Sequence, residues 1–227
     1  SKYYDIEAKA KRGLFDVVTS GVVTPEAITT TRIPNVDLIY SDAAEANLGS
    51  WLAARMDRDI RLKNALRGPF VDENYDVILI DTQGAMGKLP IREAAALAAD
   101  EILWPLNPEA LVGRELLDGT RDVYTNCSGS REPFPPIRVV INKIDRSRDA
   151  KDNLLLLRRE LLDNKPPYRL TISETIVPSA VSYRAAATAK SPVHRFEPSR
   201  STGAMLSACE VMHRLAWEVF PNVSGIF

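Results

Sequence analysis

Short runs of β-branched and aliphatic residues alternate along the chain with longer stretches of helical period, the pattern of a sheet flanked by helices. The runs fall at 36–40, 76–81, 101–106 and 137–142, with a weaker one at 170–177. Asp76-Val77-Ile78-Leu79-Ile80-Asp81 and Ile137-Arg138-Val139-Val140-Ile141-Asn142 are apolar almost without interruption. That predicts central strands covered on both faces. Leu48, Trp51, Leu52, Met56 and Ile60 recur at three- and four-residue spacing and predict one amphipathic helix. Further helices are predicted over about 91–99, 108–125, 151–162 and 204–220, and the first residues read as helix-like. In the last of these helices Met205, Ala208, Cys209, Met212, Leu215, Ala216 and Val219 share one stripe, a spacing that reads as packing rather than as a cofactor box. The Pro-rich joints Pro133-Phe134-Pro135-Pro136 and Pro166-Pro167 are short enough to connect elements rather than domains. The expected fold is α/β, one domain with a mostly parallel sheet flanked by helices on both faces.

Composition narrows the class. The 227 residues carry 29 Lys+Arg against 30 Asp+Glu and are 45% hydrophobic, values of a folded globular chain and not of collagen, a coiled coil or a disordered tail. A formal net charge of -1 gives no overall attraction to nucleic acid or membrane, so either would need a local patch. No apolar run approaches the roughly 18 residues of a membrane span. The opening Ser1-Lys2-Tyr3-Tyr4-Asp5 lacks the basic-then-apolar order of a signal peptide. Cys127 and Cys209 make neither a disulfide framework nor a metal site, and His194 and His213 have no sequence neighbours for catalysis or metal. A reduced cytoplasmic protein is the expectation.

Candidate chemistry concentrates where strands end. Asp81-Thr82-Gln83-Gly84 follows an apolar strand pattern, which places a carboxylate at the carboxyl edge of a parallel sheet, where ligands of open α/β sheets bind. In nucleotide hydrolases such a carboxylate holds magnesium, often through water, and a glycine amide approaches the terminal phosphate. The alternative is an aspartate capping the following turn. Asn142-Lys143-Ile144-Asp145 follows the next central run, and an Asn and Asp at that spacing can hydrogen-bond a base edge. Together the two segments reproduce the order of the D-x-x-G and N-K-x-D motifs of GTP-binding proteins, with Val177-Pro178-Ser179-Ala180 similar to their third base-binding loop.

A second resemblance covers nearly the whole chain. Gly13 to Val18 and Ile33 to Ser41, Glu73 to Asp81 as the Walker B strand, and Ala98-Ala99-Asp100-Glu101-Ile102-Leu103-Trp104-Pro105 resemble successive segments of the ParA/Soj/MinD-like deviant-Walker P-loop partition ATPases. Val177-Pro178, Ser191-Pro192-Val193, Phe196-Glu197-Pro198 and Gly203-Ala204 resemble that family's ending, which small GTP-binding domains lack. The resemblance implies ATP with Mg2+, with Asp81 positioning magnesium through water. Thr82, Gln83 and Gly84 would sense the terminal phosphate, and Asn142 with Pro178, Ser179, Ala180 and Val181 would line the adenine. It also implies an ATP-dependent homodimer on nonspecific DNA, a centromere-binding ParB-type partner that stimulates hydrolysis, and a bacterial, nucleoid-associated location without membrane.

Departures accompany it. No G-x-x-x-x-G-K-[ST] loop occurs in the 227 residues, so against the family the amino-terminal β-P-loop-α-β portion is missing, and ATP is expected neither to bind tightly nor to be hydrolysed by this chain alone. Gln83 and Gly84 stand where the family has Pro-Pro, and Ser182 and Ala185 stand where Arg and Glu often follow the Val177-Pro178 equivalent. Residues 181–202 carry Arg184, Lys190, Arg195 and Arg200 against Glu197, and 138–148 carry Arg138, Lys143, Arg146 and Arg148 against Asp145, each a net +3. The resemblance assigns DNA contact to the former. A GTPase selecting guanine through Asn142 and Asp145, and a non-catalytic ParA-like adaptor, remain the alternatives.

Overall fold

The structure is a computed structural model and describes residues 4–41, 45–82, 90–107, 112–144, 147–163, 166–199 and 206–223. Its elements are β1 (Ile6–Ala8), α1 (Leu14–Ser20), β2 (Thr29–Thr31), β3 (Asp37–Leu38), α2 (Glu45–Ala53), α3 (Arg58–Leu66), α4 (Pro69–Asn74), α5 (Pro90–Ala98), β4 (Ile102–Leu106), α6 (Val112–Cys127), β5 (Ile137–Ile141), α7 (Arg148–Asp163), β6 (Leu170–Ile172), α8 (Val181–Thr188), α9 (Val193–Phe196) and α10 (Ala208–Val219). The chain forms two compact units, one of residues 1–102 and 118–136, the other of 103–117 and 137–227.

In the first unit β1, β2 and β3 make a small antiparallel sheet. The amino-terminal residues are therefore strand where a helix was expected, and the run at 36–40 pairs antiparallel over Asp37–Leu38 rather than in a parallel sheet. Helices α1, α2, α3 and α5 pack through Val18, Leu48, Leu52, Leu62, Ala94 and Ala95, with Ile80 half-buried against them. Fully burying one such leucine contributes about 2 kcal/mol.

The single helix expected from Leu48 to Ile60 is two helices. Arg55 and Arg61 both bind the Asp57 carboxylate, at 2.7 Å and 2.8 Å, and the chain turns there, leaving Met56 fully exposed instead of on the apolar stripe. Both guanidinium groups lie over the Trp51 ring. Arg61 further donates to the carbonyls of Val18 (3.1 Å) and Thr19 (2.8 Å), the helix-end acceptors of α1 that lack partners of their own. Gly21 closes that end at φ 78°, a left-handed geometry that favours glycine.

The apolar run at 76–81 departs most from expectation. Residues 76–82 belong to neither sheet of the described residues, and Val77, Ile78 and Leu79 are exposed rather than central and covered. The start of the run is anchored: the Tyr75 hydroxyl donates to Asp37 at 3.0 Å. Burial first, then that hydrogen bond and the Asp37 charge, pushes the phenol up to about 12. What fails is lateral pairing, because an apolar segment becomes a strand only when another strand offers its backbone groups.

The second unit fulfils the α/β expectation. β5 lies between β4 and β6, parallel to β6 with Val139 opposite Ile172. Val139 and Ile141 face Leu154, Leu157 and Leu161 of α7. Val140 faces Val177 and Val211 of α10. Strand alternation thus gives each helix its own face of the sheet.

Candidate functional site

The carboxyl end of β5 is built by its neighbours. Asn142 N–H donates to Leu106 C=O at 2.7 Å, and the Asn142 side-chain carbonyl accepts from Lys143 N–H at 3.0 Å. Lys143 then takes φ 54°, an uncommon left-handed conformation for a non-glycine residue. The reversal delivers Ile144 to a parallel bridge with Pro178. Three backbone bonds fasten the two loops: Val177 N–H to Ile141 C=O (2.9 Å), Ile144 N–H to Val177 C=O (3.2 Å), and Ser179 N–H to Ile144 C=O (2.8 Å).

Asn142, Pro178, Ser179, Ala180 and Val181 are thereby assembled at one sheet edge although 35 residues or more separate the first from the rest. Ala180 is the N-cap of α8 and offers no side-chain cap, while Val181 in the first turn is 70% exposed. The donor set fits a heterocyclic base. The Asn142 side-chain oxygen is occupied by Lys143 N–H, its amide nitrogen is a donor group, and Val181 presents an exposed apolar side chain. Asp81 and Thr82 lie exposed at the end of the unpaired run in the first unit. Gln83, Gly84 and Asp145 lie outside the described residues.

The basic candidates lie on consecutive elements of the second unit. Arg184 is exposed on α8, Lys190 follows it at φ 50°, and Arg195 is exposed on α9, while Arg200 is outside the described residues. A Glu197 carboxylate oxygen accepts Ala208 N–H at 3.0 Å, at the amino end of α10. Ser207 accepts Glu210 N–H while the Glu210 carboxylate accepts Ser207 N–H at 2.7 Å, completing a capping box. The Ser207-Ala208-Cys209-Glu210 pattern carries that signal, which the stripe reading passed over.

Sequence reasoning also passed over Glu218 on α10. Its carboxylate accepts the Ser173 hydroxyl, Glu174 N–H (3.0 Å) and Thr175 N–H (2.6 Å), holding the segment between β6 and Pro178. Burial pushes this carboxyl up, but the hydrogen bonds from Ser173, Thr175 and Glu174 outweigh it and hold the acid below its usual range. Cys209 contacts His213, with Sγ 3.8 Å from Nε2, and His213 stacks obliquely near Trp217. Burial, then Arg195 and His213, lowers the His194 pKa. Cys127 is buried, and burial, Glu93 and Asp59 push its thiol up to about 12. No group of three or more His, Cys, Asp and Glu among the described residues could hold a metal, and no described helix is long and apolar enough to cross a membrane.

A family model described as an AAA domain matches residues 2–128. The chain belongs to this AAA domain family and is ParA/Soj-like in character. It is 27% identical over 219 residues to the sporulation initiation inhibitor protein Soj of Bacillus subtilis, a match that spans 95% of this chain and 79% of the relative. Among solved structures, apo McdA from Cyanothece superposes with a TM-score of 0.65 at 19% identity, covering 83% of this chain and 73% of that one. An ATP complex of a McdA variant gives the same TM-score and identity over 71% of its length. A chain titled "Partition Protein" gives 0.60 at 17% identity, covering 80% of this chain and 56% of that one. These neighbours share the α/β fold.

Proposed function

We propose that this chain serves a ParA-like partition ATPase that, with a phosphate loop in place, binds ATP with Mg2+, closes a homodimer on nonspecific DNA, and releases it when a centromere-binding ParB-type partner stimulates hydrolysis. One observation supports the reading: the Ile144–Pro178 bridge, which ties the loop after Asn142 to the segment that leads into Ser179 at the carboxyl edge of β5. A base there receives hydrogen bonds from the Asn142 amide and an apolar contact from Val181. Asp81 would hold the magnesium through water, while Thr82 with Gln83 and Gly84 would meet the terminal phosphate. Magnesium supplies neutralisation of phosphate charge. The chain has no glycine-rich Lys-Ser/Thr loop among its 227 residues, so the lysine and amide cradle that supplies most phosphate stabilisation is not encoded within them.

Arg184, Lys190, Arg195 and Arg200 would neutralise DNA phosphates. Such binding weakens steeply with salt because counterions are released. The test of the base site is competition of ATP and GTP for the full-length protein with its phosphate loop, with Asn142→Ala as the probe of the amide. ATP competing at least as well as GTP, and losing ground in the variant, supports the reading. A strong GTP preference abolished by Asp145→Ala would replace it with the guanine-selecting alternative. Hydrolysis is expected to be undetectable with the 227 residues alone, and robust turnover would show that the phosphate cradle is dispensable.

A further inference from the structure

The pairing of β5 with the chain that follows β6 changes register part-way. Ser173 N–H donates to Val139 C=O at 2.8 Å, continuing the parallel ladder of Ile137, Arg138 and Val139 with Leu170, Thr171 and Ile172. In a regular parallel ladder the next such bond lies two residues on along both strands, from Thr175 N–H to Ile141 C=O. The bond that forms runs instead from Val177 N–H to Ile141 C=O, at 2.9 Å. Residues 173 to 177 on one side therefore span 139 to 141 on the other, and the chain makes an excursion of two extra residues.

The hydrophobic pattern cannot choose between these registers. Side chains alternate faces with a period of two, so drawing out both extra residues leaves every later side chain on the face it had. The loop beyond does distinguish them. In the drawn-out register Ile176 would replace Pro178 beside Ile144, Val177 N–H would replace Ser179 N–H on the Ile144 carbonyl, and Ser179 to Val181 would stand roughly 7 Å from their places by the rise per residue.

The amides that the excursion takes off the ladder both end on one carboxylate of α10. Glu174 N–H donates to Glu218 Oε2 at 3.0 Å and Thr175 N–H to Oε1 at 2.6 Å, while the Ser173 hydroxyl also donates to Oε2. Arg138 of β5 lies 4.0 Å from the same carboxylate. Glu218 and the Ile141 carbonyl are thus rival acceptors for the Thr175 N–H, and a bond to an ionised acceptor is roughly twice as strong as one to a neutral carbonyl. We propose that Glu218 is a positioning residue for the base site: it holds the two-residue excursion and so sets which residues of the Pro178 loop reach the Asn142 edge. This role rests on the reading of that edge as a base site and adds to it the group that fixes its register.

Two variants grade the interaction. Glu218→Gln keeps the size and one accepting oxygen but sets an NH2 group toward a backbone amide, and Glu218→Ala removes both acceptors. Nuclear Overhauser contacts in the isotope-labelled chain, without nucleotide, read the register. The Ile144 amide is expected to lose its contact with Pro178 and gain one with Ile176, fully in the alanine variant and in part in the glutamine variant. A folded variant of either kind that keeps the Ile144–Pro178 contact alone overturns the proposal. In the full-length protein with its phosphate loop, Glu218→Gln should weaken ATP binding about threefold to tenfold and leave inorganic tripolyphosphate, which has no base, unchanged. Ser207→Ala loosens the far end of α10 without touching these bonds and should alter neither affinity. Equal losses for ATP and tripolyphosphate, or a Ser207→Ala loss matching that of Glu218→Gln, would mean general destabilisation and overturn the role. So would an unchanged ATP affinity in Glu218→Gln where Asn142→Ala weakens it. An Asn142→Ala protein that binds ATP like wild type overturns the base reading instead, and the Ile144 contacts alone then decide whether Glu218 sets the register.

Discussion

Val139 and Leu79 sit in apolar runs of similar length and composition, yet Val139 is 0% exposed and Leu79 is 80% exposed. Val139 lies on β5, which has β4 along one edge, β6 along the other, α7 over one face and α10 over the opposite face. Leu79 has no strand on either side among the described residues, and Ile80 alone of its neighbours reaches a core cluster. The comparison separates what an apolar run encodes from what completes it. A run such as 76–81 specifies surface to be covered and backbone groups to be bonded. The partners that satisfy them come from remote parts of a chain.

The largest effect should appear at the completed strand. Ile141→Ala removes three carbons' worth of packing at a fully buried position between sheet and α7, and should cost about 3 kcal/mol, read as a lower urea midpoint at unchanged slope. A loss below about 1 kcal/mol would mean that β5 is not the centre it resembles and would erase the contrast with Leu79.

Glu218 supports β5 one layer out, by holding the segment that follows β6. Glu218→Gln should cost about 2 kcal/mol near neutral pH through weakened charge-assisted bonds. The pH dependence has a definite sign. The folded-state pKa is lowered, so the stabilisation is fully present above the ordinary glutamate range and is lost as pH falls through the folded value. Stability measured from pH 6 downward, through the usual glutamate pKa of about 4.3, should therefore fall more steeply in the wild-type chain than in the variant. Equal slopes would remove Glu218 from the account. Smaller again, Ser207→Ala opens one half of the capping box on α10, the helix that covers Val140, and should cost about 1 kcal/mol in the same denaturation experiment.

These residues differ in how far the sequence betrays them. Periodicity located β5, α5, α6, α7 and α10 to within a few residues, because each element's burial pattern repeats at its own period. The bridge between Ile144 and Pro178 joins two segments that sequence read as strand ends, because both follow apolar runs of one sheet. Glu218 was not legible: its three hydrogen-bond partners lie 43 to 45 residues away, its ion-pair partner Arg138 lies farther still, and they leave no local pattern. Nor was the break at Asp57, where Met56 continues the apolar spacing while Arg55 and Arg61 compete for one carboxylate and turn the chain. The exposure of Val77 to Leu79 was equally hidden, since strand character was read from the run itself and pairing is a property of its neighbours.

The smallest expected effect bears hardest on that last point. Leu79→Ser replaces a side chain that is mostly in water already, so little apolar area returns to solvent and stability should change by no more than about 0.5 kcal/mol. The same substitution in a covered central strand would strip away a full leucine of burial and strand an unpartnered hydroxyl, a loss of about 3 kcal/mol or more. The two outcomes are far enough apart for one urea titration to choose between them. A near-zero value keeps residues 76–81 as a run with its appetite unmet, beside a β5 that is satisfied on all four sides. A loss approaching that of Ile141→Ala would instead place Leu79 in a paired, covered strand in solution, and Asp81 would then stand at a true sheet edge like Asn142.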